Sequence, residues 1–486
     1  MNKKKVIIIG GGPAGLSAAL KLSQESNMEI IIYELEAEIG GLSRTLEYKD
    51  NKMDIGPHRF FSKSDLIVNS WTETLNFENN KDDNLLIKDR YTRIYFLNKF
   101  FKYPIKLSLE TLLNLGLIRT IKIGFSYFKS LLFPIKPEMS LKDFFINRFG
   151  KELYLTFFKD YTEKVWGVPC SQIGPSWGAQ RVKGLSINEI IIDTLKALPV
   201  HFKFMDNKVD AMLTKKFYYP KGGSGMMWTQ MAKDFESNGG KIFTNKNVIS
   251  IKGSEKSIEE IVVQDTTTGE VTTQQADYYI SSMPVKDLLN SINEVPESVL
   301  DVANNLVYRD LIMLGMLFDK FKKEPIKDNW IYLQDRTIKA GRMEIYNNFS
   351  TEMLNDKNTV WLGLEYFCNK GDAMWEKSDE ELLKIGRGEL AQLDFFNESD
   401  YLDGTVFRIE KAYPSYFGSY DRFYEIREYV DKFENLFLIG RNGMHRYNNM
   451  DHSMLSGFAA ADNILGNIPN KNNIWDINTD EEYHES

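Results

Sequence analysis

An α/β fold built on a parallel nucleotide-binding sheet is what this sequence predicts, and three observations carry it. Val6, Ile7, Ile8 and Ile9 form a continuous β-branched run, the pattern of a strand buried on both faces of a parallel sheet. Gly10, Gly12 and Gly15 then satisfy G-x-G-x-x-G and lead into a helix expected over residues 13–24, opening on Pro13 and Ala14. A second strand, expected over residues 30–33, ends at Glu34.

Each part has a physical use. The glycines let the backbone turn tightly and approach a pyrophosphate, which rests on the helix amino terminus. Glu34 stands at the distance at which a carboxylate accepts from a ribose hydroxyl, and an acid there favours FAD or NAD over NADP. A lone G-x-G-x-x-G is a weak sign, and a glycine-rich structural turn is the alternative. Strand, glycines, helix, strand and acid in one unit are a strong sign.

Composition narrows the class. A chain of 486 residues can bury a large core and is expected to form two or three domains. Hydrophobic and charged fractions of 43% and 26% are ordinary for a globular protein. A net charge of −8 without a basic tail gives no electrostatic footprint for nucleic acid. Cys170 and Cys368, with no CxxC, offer neither a disulfide framework nor a zinc site, which fits a reducing cytoplasm. Three lysines precede the first apolar run, but glycines interrupt it within four residues, so a strand and not a signal peptide is expected.

Residues 108–135 come nearest to a membrane segment, but Arg119, Lys122 and Lys129 argue against a span. A buried or domain-interface helix is expected there, with shallow membrane-surface contact as the alternative. His445 and His452, with Asp451 nearby, are expected to orient a loop and a helix and not to bind a metal. No nucleophile elbow supports hydrolase chemistry.

After Glu34 come Gly40, Gly41, Leu42, Ser43, Arg44 and Thr45, then Met53, Asp54, Ile55, Gly56, Pro57 and His58. These stretches resemble the GG-x-x-x-T and D-x-G-x-H elements of the FAD-dependent amine oxidase and protoporphyrinogen oxidase superfamily. The resemblance implies a Rossmann-type FAD-binding domain with a helical insertion domain and a sheet-containing substrate domain. It places Asn247 and Val248 at the adenine and a returning strand at residues 278–284. Residues 437–439 become the last sheet strand, Gly440 and Arg441 a flavin-contacting turn. A helix beginning near Met450, Asp451 and Ser453 would then point its amino terminus at the flavin, where it stabilises negative charge on the reduced ring.

Six further motifs narrow the resemblance. GPHRFFS (56–62), KVWGVP (164–169), YPKGGSGMMW (219–228), GRMEIYNNFS (341–350), AYPSY (412–416) and GRNGMHRYNNMDHS (440–453) occur in the order found in UDP-galactopyranose mutases. Members of that family interconvert pyranose and furanose forms of a nucleotide sugar without net redox change, reduced FAD supplying N5 as nucleophile toward the anomeric carbon. The resemblance makes Arg342 the candidate diphosphate bridge, with Tyr332, Tyr413 and Tyr447 donating to the same group. It puts Arg181 in the substrate cleft, Trp166 on the sugar pocket, Arg441 on the flavin and His58 near N5. Arg342 pairing with a carboxylate such as Glu344 is the bland alternative. Thr162 stands where the family often carries asparagine, and Lys106 where a glutamine follows the Tyr-Pro motif; base and sugar stay open, with UDP-galactose the default.

The competing functional reading is an FAD-dependent oxidoreductase of the wider superfamily, with Lys221 as a stand-in for a lysine near N5. A non-catalytic flavoprotein that senses a nucleotide sugar is a third. NAD(P)H is a candidate external reductant, and a homo-oligomer is compatible with the sequence. Expected boundaries are 1–90, 210–300 and 405–470 for the FAD-binding domain, 100–205 for the helical domain, 305–400 for the substrate sheet and 471–486 for a polar tail.

Overall fold

Val6, Ile7 and Ile8 are fully buried, and the strand that carries them, Lys5–Ile9, is the middle of a five-stranded parallel sheet. The computed structural model describes residues 3–77, 84–103, 105, 109–175 and 216–478. Across the sheet the order is Leu436–Leu438, Tyr278–Ser281, Lys5–Ile9, Glu29–Tyr33 and Lys241–Phe243. Strands from both ends of the chain therefore close one sheet. Helix Pro13–Glu25 packs against both Gly225–Ser237 and Met450–Leu465. A Cβ on Gly15 would lie 2.0 Å from the Gly10 carbonyl oxygen, so glycine is what lets the helix settle onto the first strand. Between its third and fourth crossings the chain makes an antiparallel excursion of three strands, Lys246–Gly253, Ile258–Asp265 and Val271–Gln274.

A second, seven-stranded sheet faces this unit across a cleft. Its order is Tyr401–Gly418, Leu306–Phe318, Val360–Cys368, Arg342–Ile345, Trp330–Leu333, Thr92–Phe96 and Lys99–Lys102. All neighbours are antiparallel except Trp330–Leu333 beside Thr92–Phe96. Residues 405–418, expected with the FAD-binding domain, belong to this sheet. Tyr401–Gly418 is one continuous edge strand, bulged at several points where it pairs with Leu306–Phe318, and pairing along its length ties it to the second sheet.

The segment 108–135 also departs from expectation. It forms helices Leu109–Leu115 and Leu117–Leu132, and the longer one buries Ile123, Tyr127 and Ser130 while leaving Leu117, Phe125 and Leu132 exposed at 76%, 75% and 74%. The helix is apolar on two faces, and packing uses one of them. Among the described residues no helix is long and apolar enough to cross a membrane. The remainder of the helical region is Leu141–Phe149 and Lys159–Trp166, joined through a π turn at Tyr154–Phe158; residues 176–205 lie outside the described residues. The expected polar tail begins as packed structure, because Ile474 and Trp475 are buried; residues 479–486 lie outside the described residues.

Candidate active site

Strand ends and turns from both sheets converge on one cavity of about 990 Å³. On the first side it is lined by Gly10, Gly12, Pro13, Ala14, Glu34, Gly41, Leu42, Arg44, Gly56, His58 and Val248. Gly10 has φ +104°, and a Cβ there would meet Ser282 Oγ at 2.2 Å, so the turn needs a residue without a side chain. Glu34 Oε2 accepts from Gly11 N–H at 2.6 Å and Oε1 from Glu36 N–H at 2.9 Å. Burial pushes this carboxyl up from its ordinary value, opposed by those two bonds. Each oxygen keeps a second lone pair for a ligand hydroxyl.

Gly440, Arg441, Tyr447, Met450, Asp451 and Ser453 line the far end of the same cavity. The helix Met450–Leu465 begins there, capped reciprocally by Asn449 and His452. Arg441 lies over the Tyr447 ring at 4.0 Å and the Tyr413 ring at 5.0 Å. Its Nη1 donates to Asn448 O at 3.4 Å, but Nε and Nη2 are buried without hydrogen-bond partners among the described residues. A buried guanidinium with two unused donor nitrogens needs a ligand rich in acceptors. Together with the glycine turn and Glu34, this donor set fits an FAD.

The opposite wall is built by strand register. Tyr332 pairs with Arg342, and Arg342 with Glu365, so three neighbouring strands present these side chains in a row. Arg342 Nε and Nη2 donate to Glu365 Oε2 at 2.9 and 2.5 Å, and Nη2 also donates to Tyr413 Oη at 2.8 Å. Nη1 is left uncommitted among the described residues. Burial alone would pull the Arg342 guanidinium down, but Glu365 holds it well above the ordinary arginine value. The alternative reading, a pair with a carboxylate such as Glu344, holds as to the ion pair, and the carboxylate is Glu365. Glu344 is fully buried, and burial, then the Glu365 charge, push it far above the usual carboxylate range. Both Glu344 oxygens and Glu365 Oε1 have no hydrogen-bond partner among the described residues, and a neutral Glu344 has one proton to offer Glu365.

His58 lies between the two walls. Its Nδ1 is 3.3 Å from Ser224 Oγ, whose own proton goes to Ser43 O at 2.8 Å. Nδ1 must then be the donor, which leaves Nε2 as an acceptor. Burial first, and then Arg441 and Arg342, push the imidazole down to about 3, so it is neutral at physiological pH. Behind it, Asp54 accepts from Thr45 Oγ1 at 2.6 Å, Tyr219 Oη at 2.8 Å and Ser224 N–H at 3.1 Å. Burial raises Asp54 to about 6 despite those bonds.

Two expected site residues are not on the cavity, and a third is not among the described residues. Gly15 sits beneath it, as the packing contact described above. Trp166 is buried at the end of its helix, edge-on to Phe417 at 6.4 Å, and does not line the sugar pocket that the sequence suggested. Arg181 lies outside the described residues. Lys221 is also off the cavity, while Lys246 and Lys411, which line it, are ion-paired to Asp265 and Asp287. His445 Nε2 meets Ser415 O at 3.0 Å, so this histidine ties the turn to the neighbouring strand. Among the described residues no three His, Cys, Asp or Glu groups converge as a metal site.

Sequence reasoning missed Glu365, Tyr103 and Tyr161. Tyr103 packs on Tyr332 at 4.6 Å and Tyr161 meets the same ring edge-on at 5.7 Å, completing an aromatic wall beside Arg342. Tyr103 carried a signal, the Tyr-Pro pair; Glu365 carried none without the strand register.

A family model described as flavin containing amine oxidoreductase matches residues 13–465. The chain is 44% identical to a 4,4'-diaponeurosporene oxygenase of Staphylococcus haemolyticus over 57 residues, 12% of this chain and 11% of that protein. It is 27% identical to a probable UDP-galactopyranose mutase of Klebsiella pneumoniae over 217 residues, 43% of this chain and 48% of that protein. These matches thus span half or less of the curated relatives. The fold is similar to that in a crystal structure of reduced UDP-galactopyranose mutase, with TM-score 0.80 and 21% identity, covering 98% of this chain and 96% of that one.

Proposed function

We propose, on the premise that this chain belongs to the family of flavin containing amine oxidoreductases, that it is a flavin-dependent mutase interconverting pyranose and furanose forms of a nucleotide sugar, with UDP-galactose the default. The observation that carries this reading is Arg342, a largely enclosed arginine on the cavity wall with one nitrogen uncommitted among the described residues and a tyrosine hydroxyl bonded beside it. FAD, in its reduced form, would supply the nucleophile toward the anomeric carbon. The chain's own residues have other tasks.

Arg342 and Tyr413 hold the departing diphosphate, whose charge a planar guanidinium matches better than a mobile ammonium. Tyr332 and Tyr447 extend that donor wall. Arg441 and the amino terminus of Met450–Leu465 line the other end of the cavity, where they would stabilise negative charge on a reduced flavin. His58, held neutral with Nε2 as acceptor, accepts a hydrogen bond from a ligand donor without adding charge. Tyr103 and Tyr161 close the pocket against water. An oxidoreductase acting on an apolar substrate has no use for the diphosphate wall, and Lys221 does not line the cavity. The physiological reductant is proposed to be NAD(P)H, the compartment the cytoplasm, and the product a furanose donor for surface polysaccharide.

The test follows UDP-galactofuranose and UDP-galactopyranose by chromatography, with the flavin oxidised and then reduced by dithionite. Interconversion in the reduced sample alone is expected. No conversion in either sample, with a flavin spectrum unmoved by UDP or any sugar nucleotide, would overturn the reading.

A further inference from the structure

The helix Leu117–Leu132 has two apolar faces, and packing accounts for one. Ile123, Tyr127 and Ser130 point inward. Leu117, Ile118, Ile121, Phe125, Phe128 and Leu132 fall within an arc of about 100° on the other side. These six are between 49% and 76% exposed. The chain continues the surface beyond the helix with Phe133 and Met139, exposed at 74% and 72%. An apolar face this continuous marks a contact surface and not scattered exposure.

Its charge says what kind. Residues 111–137 contain Arg119, Lys122, Lys129 and Lys136 and no Asp or Glu, in a chain whose net charge is −8. Lys122 and Lys129 are seven residues apart and flank the exposed apolar arc on one side. A second copy docked by two-fold symmetry would set these cations against their own equivalents, and lysine is depleted at protein interfaces. Residues 176–215 of this chain carry six Lys and Arg against four Asp and Glu, the same sign as the face. An anionic lipid surface takes both features at once: acyl chains receive the Phe, Leu and Ile side chains, and headgroup phosphates pair with the lysines.

We propose that the helix Leu117–Leu132 lies in the plane of an anionic membrane surface and docks the protein there through its exposed apolar face and its flanking lysines. The helix is too short and too charged to cross, so the contact is peripheral. The face lies outside the cavity lining, so docking leaves the site's residues in place.

The test is flotation of the full-length, flavin-loaded protein with vesicles of equal parts phosphatidylglycerol and phosphatidylcholine, and with phosphatidylcholine alone. Binding to the anionic vesicles, weakened by salt, is expected. Phe125→Ser with Phe128→Ser should reduce it by about tenfold or more, and Lys122→Glu with Lys129→Glu should abolish the preference for anionic lipid. Flavin content serves as the folding control for both variants. Equal binding to both vesicle types would overturn the role of the lysines. No binding to either would overturn the proposal. In that case light scattering tests a second copy as the cover: a Phe variant of half the mass identifies one, and an unchanged mass excludes it.

Discussion

The nucleotide cradle and the arginine wall share a cavity but are assembled differently. Gly10, Gly12 and Glu34 lie on one strand–helix–strand unit, and backbone groups make most of the cradle. Tyr332, Arg342 and Glu365 come from three neighbouring strands and meet through cross-strand pairing, and Tyr413 reaches Arg342 from a fourth, the edge strand, by a hydrogen bond. The cradle depends on local backbone shape, the wall on register, where a slip of one residue would turn Arg342 to the other face. A local device survives loss of one side chain better than a device whose members hold one another.

Arg342→Ala is the strongest way to break that contrast. It should lower turnover by about 10²–10³-fold or more while FAD stays bound. It also strands Glu365 in the interior, at a cost of about 3–5 kcal/mol, readable as a fall in Tm. Near-normal turnover would remove Arg342 from the diphosphate site.

Asp54 offers the next largest effect, through pH. Its folded value is about 6 against 3.8 for the free side chain, so between those values the folded protein keeps a proton that the unfolded chain has released. Its contribution is complete below pH 3.8 and is lost as pH rises through 6, by at most about 3 kcal/mol. Denaturation at several pH values should show this decline, and Asp54→Asn should flatten it; an unchanged slope would assign the proton elsewhere.

Glu34→Ala tests the cradle. It should weaken FAD retention by about 1.5–3 kcal/mol, seen by flavin absorbance on dialysis, with turnover recovered at saturating FAD. A fully loaded variant would contradict the ribose contact. The smallest change is expected from Glu344→Gln, because an amide can donate to Glu365 as the neutral acid does. Stability and turnover should shift by less than about 1 kcal/mol, whereas a large loss would mean that Glu344 carries charge.

The same contrast explains what could be read from the sequence. The β-branched run at residues 6–9, the glycines and Glu34 were legible because their roles follow from local shape, and Gly15 was legible as a motif member although its role is packing. Arg342 was legible by resemblance, but its partner was not: Glu344 is nearer in the chain, and only register brings Glu365 opposite. Trp166 failed for a related reason, since a motif fixes where a tryptophan is but not which way its helix turns it. The helix Leu117–Leu132 was legible as a packed helix and not a span, but periodicity alone did not show that a second apolar arc stays exposed beside the buried one.

The parallel sheet has a consequence for synthesis. Its middle strand, Lys5–Ile9, is made first, yet the edge strand Leu436–Leu438 and the helix after it emerge more than four hundred residues later. At about 5–20 residues per second, the ribosome leaves the cofactor site without its second wall for roughly 20–90 s. Through that interval one edge of the sheet, Tyr278–Ser281 once it has formed, waits for a neighbour, and a nascent chain halted before residue 436 should hold flavin poorly however well its glycine turn has folded.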